Sequence, residues 1–232
     1  MLYEVAIIMN VNYYVNLFLE SIDKFIRENL NVLTGKNLSD FYITLFNNLK
    51  NKYFGGSWGF NGVTEFLILR ILYYIGSEKY GKPQVNKITR DIKGFYYPNP
   101  NIVLSAGKPL CLGNTKKWLD IAVYTQSSKD DIGKIKNLIS SIEVKACPPG
   151  GLKGKGGIIE TIERLKKIHE HYPKAKLALI IYYYSANESR SKVWRYLLRK
   201  PVDDVEPIPN YIDILVLSKI DEKIKNILGK YI

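Results

Sequence analysis

Cysteine is scarce in this sequence, and that scarcity excludes several kinds of site. The 232 residues include only Cys111 and Cys147. Two cysteines cannot build a disulfide framework, and alone they cannot hold a structural zinc ion, so we expect reduced thiols in an intracellular protein. Long hydrophobic runs are also missing: no stretch approaches the roughly 20 apolar residues of a membrane span.

Targeting and nucleotide-binding signals are missing as well. The first ten residues, MLYEVAIIMN, have no basic start and include Glu4, so they do not resemble a signal peptide. The glycine-rich segment 147–157, CPPGGLKGKGG, lacks the G-x-x-x-x-G-K-[ST] pattern of a P-loop. We therefore expect a cytoplasmic protein, in the host cytoplasm if it is viral, with no nucleotide cofactor and no membrane partner.

Positive charge is abundant. Lys and Arg number 34 against 22 Asp and Glu, a formal net charge of +12, and 46% of the residues are hydrophobic. Such an excess favours a polyanionic partner, with nucleic acid first and an anionic membrane second. The chain is long enough for one domain with an extension, and its apolar content is ample for a core.

The N-terminal part of the chain has helical periodicity. Apolar spacing predicts helices across residues 12–52, the second beginning near Ser39 as its cap. After the glycine-rich stretch 55–62, a third helix is predicted over residues 63–76. This helix is apolar nearly all round, so we expect it to be buried.

The caps and boundaries of these helices are also predicted. Thr64 or Asn61 would cap the third helix, and Gly76 would close it. Residues 77–107 are predicted to form a polar loop. We divide the chain into an N-terminal helical extension, residues 1–56, and a core domain, residues 57–232.

The C-terminal part alternates between strand and helix patterns. Strands are predicted over residues 109–113, 118–125, 139–147, 176–184 and 211–218, and helices over residues 157–172, 189–200 and 221–232. The predicted order is helix, three strands, helix, strand, helix, strand, helix. We therefore expect an α/β fold with a mixed central sheet flanked by helices on both faces.

An acid and a base stand two residues apart in one predicted strand. Because side chains alternate along a strand, Ile142, Val144 and Ala146 are predicted to face the core, and Glu143 and Lys145 the opposite side. Such a pair on the solvated face of a sheet would be an ordinary surface ion pair. The glycine-rich segment that follows favours a functional site instead.

The preceding predicted strand adds a second carboxylate. Leu119, Ile121 and Val123 are predicted to face the core, so Asp120 would point the other way. If the two strands pair, Asp120 joins the Glu–Lys pair on one patch. Two carboxylates supply the hard oxygen ligands that Mg²⁺ prefers, and the Val144 carbonyl is a third predicted ligand.

This constellation has a clear chemical use. A bound Mg²⁺ acidifies a water molecule and neutralises a phosphate oxygen. Lys145 would orient that water or stabilise the charge that develops on the phosphate. The residue set therefore predicts phosphodiester hydrolysis, with Asp120 and Glu143 as the metal ligands.

Leu119-Asp120 and Glu143-Val144-Lys145, in this element order, resemble the PD-(D/E)XK nuclease superfamily over residues 60–185. The resemblance implies a restriction-endonuclease-like fold, a metal-binding acidic pair at Asp120 and Glu143, and a catalytic lysine at Lys145. Many members carry a further glutamate on the helix before the sheet, which would be Glu65. Leu119 stands where the motif has proline. Glu65 has a structural alternative, since a carboxylate there could simply cap its helix.

Basic residues outside the motif are predicted to contact nucleic acid. They are Lys153 and Lys155 in the glycine-rich segment and Lys192, Arg195 and Arg199 on the predicted helix 189–200. Each group has a plain alternative, a simple connection for the segment and a solvated face for the helix.

The sequence thus predicts a magnesium-dependent DNA endonuclease, with Mn²⁺ as a substitute metal, that acts as a homodimer on duplex or branched DNA. Archaeal viral nucleases, type II restriction enzymes and Holliday-junction resolvases are equally similar at this level. A non-catalytic DNA-binding module on the same fold is the alternative of another class. An RNA-binding protein is disfavoured because no RRM, KH or zinc-knuckle pattern is found.

Overall fold

Helices cover both faces of a mixed β-sheet, as the sequence predicts. The computed structural model describes residues 19–53, 61–87, 93–112, 115–126, 135–146, 152, 157–183 and 192–232. Within these residues, seven strands form one sheet. None of the helices there is both long enough and apolar enough to cross a bilayer.

The elements follow one another in a simple order. The helices are α1 (helical over 19–29), α2 (Gly35–Tyr53), α3 (Asn61–Tyr80), α4 (Ile158–His171), α5 (Lys192–Leu197) and α6 (Ile224–Leu228). The strands are β1 (Gln84–Lys87), β2 (Lys93–Tyr97), β3 (Ile102–Leu112), β4 (Thr115–Gln126), β5 (Ile135–Lys145), β6 (Lys176–Ile181) and β7 (Ile212–Val216).

The strands lie in the sheet in the same order as in the chain. Strands β1 to β5 pair antiparallel with their neighbours. Strand β6 is parallel to β5, and β7 is parallel to β6. Parallel neighbours need a long crossover, and helices α4 and α5 lie in the two crossovers. The five strands predicted from the sequence are confirmed, and β3, β4 and β5 extend beyond their predicted bounds.

Two separate hydrophobic clusters lie on the two faces of the sheet. One joins the sheet to α1, α2, α3 and α6, and includes Ile121, Ile142 and Ala178. The other joins the sheet to α4 and α5, and includes Leu177, Leu179 and Trp194. Because both faces are covered, every polar side chain in the middle of the sheet must find a partner or be solvated at an edge.

The N-terminal helices are tied to the C-terminal segment. Thr34 forms an isolated antiparallel bridge with Lys223. The Ile224 N–H donates to the Leu33 carbonyl at 2.8 Å. Residues of α1 and α2 belong to the same buried cluster as α3 and the sheet. The division at residue 56 therefore stays a prediction about the sequence, and the structure gives both parts a common core.

The predicted loop over residues 77–107 is wrong. Helix α3 continues through Gly76 to Tyr80, and β1, β2 and the start of β3 occupy most of the remaining described residues. A Cβ at Gly76 would lie 2.7 Å from atoms of Ile232 and Tyr97, so this glycine permits close packing instead of ending the helix. The alternation of Phe95 and Tyr97 toward the core was the available signal for β2.

The predicted cap at Ser39 is wrong, and of the two predicted caps of the third helix, Thr64 is wrong while Asn61 is the first residue of α3. Ser39 lies inside α2 and is buried, whereas Thr34 accepts a hydrogen bond from the Asn37 N–H at 3.1 Å and so caps α2. Thr64 is a buried residue within α3. Both helices begin earlier than the apolar pattern suggests, because their first turns carry polar residues at the edge of the core.

Candidate active site

The sheet divides between β4 and β5. The ladder between these strands ends at the pair Ile121–Ile142. Beyond that point β4 remains paired with β3, while β5 remains paired with β6 as far as Lys145. We call the opening between the two branches the fork. It places Asp120 on one branch and the Glu143–Lys145 segment on the other.

Asp120 spans the fork. The Val144 N–H donates a hydrogen bond to Asp120 Oδ2 at 2.9 Å, so the carboxylate takes the place of a missing ladder partner. Lys145 Nζ lies 3.6 Å from the same oxygen. The Asp120 and Lys145 side chains are 17% and 33% exposed, so solvent reaches both. In an extended strand the N–H and C=O of one residue point toward the same neighbouring strand, so the Val144 carbonyl also faces the fork.

Glu143 is fully buried, and its ion-pair partner is Arg164 of α4. Its Oε2 accepts a hydrogen bond from Arg164, while its Oε1 is buried without a hydrogen-bond partner among the described residues. The structure therefore does not contain a solvated surface ion pair between Glu143 and Lys145. A buried oxygen without a donor is costly unless a proton or a cation satisfies it.

The electrostatics of Glu143 reflect this environment. Burial, and then the negative charge of Asp120, raise the pKa of Glu143 from 4.5 to about 8, against the opposing charges of Arg164 and Lys145. Two carboxyl groups this close cannot both ionise easily without a cation. The pair is therefore suited to share either a proton or a metal ion.

Glu65 lies in the first part of α3, which covers the face of the sheet opposite α4. Burial, followed by repulsion from Asp120, raises the pKa of Glu65 to about 7, while Lys145 lowers it. The structure therefore places Glu65 within electrostatic reach of Asp120 and Lys145, the two residues that also act on Glu143. The sequence suggested the meeting of Asp120, Glu143 and Lys145 through strand alternation, and it suggested Glu65 through the resemblance to the nuclease superfamily.

The predicted core face of β4 is wrong at one position. Leu119 packs in the α4 cluster together with Ala122, whereas Ile121 and Val123 pack on the α3 side. Opposite this region, Gly107 of β3 has a φ of +59°, a left-handed conformation that glycine adopts easily. The irregular backbone interrupts strict alternation here and leaves Asp120 directed into the fork.

Arg164 is a functional candidate that the sequence analysis missed. It lies on α4, whose buried residues include Thr161, Leu165 and Ile168. Its side chain borders that apolar stripe, one turn after Thr161 and one turn before Ile168. An arginine beside a buried stripe is a recognisable signal, because its charge must meet an acid or reach solvent.

The predicted DNA-contact residues differ in their positions and contacts. Lys153 and Lys155 lie outside the described residues. Lys192 and Arg195 are exposed on α5. The Arg199 guanidinium donates to the carbonyls of Ile208, Pro209 and Ile212 at 2.6, 3.2 and 2.7 Å, so it holds the chain that leads to β7.

The donor set at the fork suits one hard cation held mainly by two carboxylates. Among the described residues, no three His, Cys, Asp or Glu side chains are grouped closely enough to bind a metal together. Mg²⁺ often takes only one or two carboxylates and keeps several water molecules. The unsatisfied Glu143 Oε1, the adjacent Asp120 carboxylate and the Val144 carbonyl fit that requirement, with Glu65 farther out.

Comparisons with known proteins identify no relative. The sequence matches no protein-family model, and no match to it is found among the curated proteins or the solved structures.

Proposed function

We propose that the chain is a magnesium-dependent DNA endonuclease with a restriction-endonuclease-like core. The observation that carries the proposal is the fork, where Asp120, Glu143 and Lys145 meet beside a buried carboxylate oxygen that has no donor. An acid–acid–lysine set at a break in a sheet is costly for stability, and metal-assisted phosphodiester hydrolysis is a use that requires it.

Each residue of the cluster has a defined task in this proposal. Asp120, Glu143 and the Val144 carbonyl would hold Mg²⁺ (or Mn²⁺), which supplies an acidified water and neutralises phosphate charge. Lys145, partly exposed at the mouth of the fork, orients the attacking water or donates to the phosphate. Glu65 accepts a hydrogen bond from water near the cluster. Arg164 positions Glu143 by holding its other oxygen.

The net charge of +12 supports DNA as the substrate, because phosphate contacts dominate nucleic-acid affinity. Two protomers would bring two clusters to the two backbones of a duplex or a branch, so we propose a homodimer. A Holliday-junction resolvase is one such enzyme.

One observation favours a second candidate, a non-catalytic DNA-binding module. Arg164 already forms an ion pair with one oxygen of Glu143, and Asp120 already accepts a hydrogen bond from the Val144 N–H. The same cluster would then be a buried polar network that fixes the geometry of the fork. The two candidates differ in whether the cluster binds a metal and hydrolyses DNA.

A cleavage assay separates the two candidates. Supercoiled, linear, single-stranded and four-way-junction DNA are incubated with and without Mg²⁺, using the wild type and Asp120→Asn, Glu143→Gln and Lys145→Met. We expect metal-dependent cleavage by the wild type and at least a hundredfold loss in each variant, with DNA binding retained. Asp203→Asn, at an exposed acid in the segment between α5 and β7, is the matched control and stays active.

The possible results have distinct meanings. A wild type that binds DNA and cuts none of the four forms with metal supports the binding module and ends the enzyme proposal. A wild type that cuts a closed circle acts as an endonuclease, whereas digestion restricted to linear ends contradicts that assignment. Cleavage that persists in all three variants would place the active site elsewhere.

A further inference from the structure

An aromatic side chain stands exposed next to the cluster. Trp118 lies on β4, two residues before Asp120, and is 52% exposed. Trp194, by contrast, is buried in the α4 cluster. Exposing a large indole forfeits hydrophobic stabilisation, so a position of this kind points to a binding role.

The strand register places Trp118 at the mouth of the fork. The last pair between β4 and β5 is Ile121–Ile142. Counting three residues along each branch from that pair leads to Trp118 on β4 and to Lys145 on β5. On its other side Trp118 is held in register with Pro109 of β3, so its backbone belongs to a paired hairpin.

A substrate that approaches the partly exposed Asp120 from the open end of the fork comes close to Trp118. Aromatic side chains hold nucleic acids by stacking on bases, and every base has a face for such a contact. In continuous duplex both faces of a base are already covered by its neighbours. Only an unpaired or extruded base offers a free face, and freeing a paired base costs stacking and pairing energy.

We propose that Trp118 stacks on an unpaired base adjacent to the phosphodiester held at the fork. The preferred substrate class is then DNA with unpaired bases beside the cleavage point, as in single strands, flaps and open branches, rather than continuous duplex. This inference rests on the proposed function, and it shifts the preferred substrate of that same site from continuous duplex toward single-stranded and branched DNA.

The test is a binding measurement without metal, so that cleavage does not interfere. Fluorescence anisotropy in EDTA compares a single strand, a branched oligonucleotide with unpaired bases at the branch, and a continuous duplex of equal length. For Trp118→Ala we expect affinity to fall about five- to hundredfold on the first two and less than twofold on the duplex. Trp118→Phe should stay within about threefold of the wild type, because phenylalanine also stacks.

Tyr211→Ala is the matched control. Tyr211 is an exposed aromatic, 41% accessible, and immediately precedes β7. Ile212 pairs with Leu177 near the start of β6, at the opposite end of the parallel strands from Lys145 and Ile181. We expect this variant to bind all three DNAs like the wild type.

The outcomes separate this inference from the proposed function. An equal loss on duplex and unpaired DNA, no loss at all, or a phenylalanine variant as weak as the alanine variant overturns the stacking role. A wild type that cleaves DNA while Trp118→Ala changes nothing overturns the inference alone. If the wild type prefers unpaired DNA through Trp118 but never cleaves it, only the enzyme proposal is overturned. If the wild type binds no DNA, both proposals are overturned.

Discussion

Glu143 is the residue at which stability and proposed function conflict most directly. Burying an ionised carboxylate is expensive unless charge or hydrogen bonds compensate for it, and Arg164 compensates only one of its two oxygens. The nearby charge of Asp120 makes the ionised form less favourable still. A hydrophobic residue would fit the buried position better, so the presence of an acid calls for a role beyond folding.

The raised pKa of Glu143 predicts a pH-dependent stability. Between about pH 4.5 and pH 8 the folded chain keeps the Glu143 proton while the unfolded chain has released it. The stability that this retained proton contributes is fully present below pH 4.5, the pKa of the unfolded chain. It falls by about 1.4 kcal/mol per pH unit, for one linked proton, as the pH rises to the folded pKa of about 8. Urea unfolding in EDTA from pH 5 to 9 should show this decline, and Glu143→Gln should remove most of it.

Glu65 and a surface glutamate provide the controls for that experiment. Glu65, with its pKa raised to about 7, adds a slope of the same sign that remains in the Glu143→Gln variant. Glu170→Gln removes an exposed acid from α4 and should unfold with the wild-type pH profile. Identical profiles for the wild type and Glu143→Gln would contradict the buried, protonated state of Glu143.

Arg164 should be energetically coupled to Glu143. Removing one member of a buried ion pair leaves an uncompensated charge and costs about 3–5 kcal/mol, unless the remaining group neutralises itself. We therefore expect Arg164→Met to be strongly destabilising at pH 9 and less so at pH 6. A double-mutant cycle with Glu143→Gln should give a coupling energy of about 1–3 kcal/mol at pH 9. Additive effects at that pH would mean that the contact contributes no stability.

At the scale of elements, local patterns predicted most of the sheet and missed one part of it. In β5 apolar and polar residues alternate from Ile142 to Lys145, whereas β4 is apolar from Trp118 to Tyr124 except at Asp120. Strand β6 is continuously apolar from Leu177 onward because both its faces are buried. Strand β1 has only four residues and exposes Val85 at the edge of the sheet, so its apolar pattern is too weak to detect. Periodicity reports burial, and an edge strand has little of it.

The fork itself was beyond prediction from the sequence. Alternation placed Asp120 and Glu143 on the polar positions of neighbouring strands, which was enough to propose that they meet. Where a ladder ends depends on partners distant in the chain, such as Gly107 opposite β4 and Ile181 beside Lys145. The burial of Glu143 depends on α4, whose position no local pattern specifies.

Helix α3 offers a test of why it contains glycine. Replacing glycine by alanine inside a helix normally stabilises by about 1 kcal/mol. At Gly76 the new Cβ would lie 2.7 Å from Ile232 Cδ1 and from Tyr97 Oη, and overpacking of this kind costs about 1–3 kcal/mol. We expect Gly76→Ala to lower the thermal midpoint, with unfolding followed by circular dichroism.

Gly62 gives the matched comparison in the same helix. A Cβ at Gly62 would meet no heavy atom within 4 Å, so Gly62→Ala should leave stability unchanged or raise it. Equal effects of the two substitutions would show that helix propensity, and not packing against Tyr97 and Ile232, determines the result.

At the scale of the whole molecule, the N-terminal helices complete the core on the α3 side of the sheet. Gly35 lies against Ile220, where a Cβ would come within 2.8 Å of the isoleucine Cβ. The rings of Tyr42 and Tyr182 contact each other with centroids 4.8 Å apart, joining α2 to the segment after β6. These contacts join α2 to the C-terminal half of the chain within one cluster on one face of the sheet.

We therefore predict that residues 57–232 do not fold alone. Among the described residues 19–53, six buried ones belong to the shared cluster, namely Ile22, Ile26, Leu30, Leu33, Leu38 and Tyr42. Each contributes about 1.5–3 kcal/mol through burial, so their removal costs about 10 kcal/mol or more, comparable to the whole stability of a domain. The fragment should lack a cooperative thermal transition and bind a hydrophobic dye, and adding a peptide of residues 1–56 should restore the transition. A fragment that unfolds cooperatively within a few degrees of the full chain would instead show that residues 1–56 are a dispensable extension.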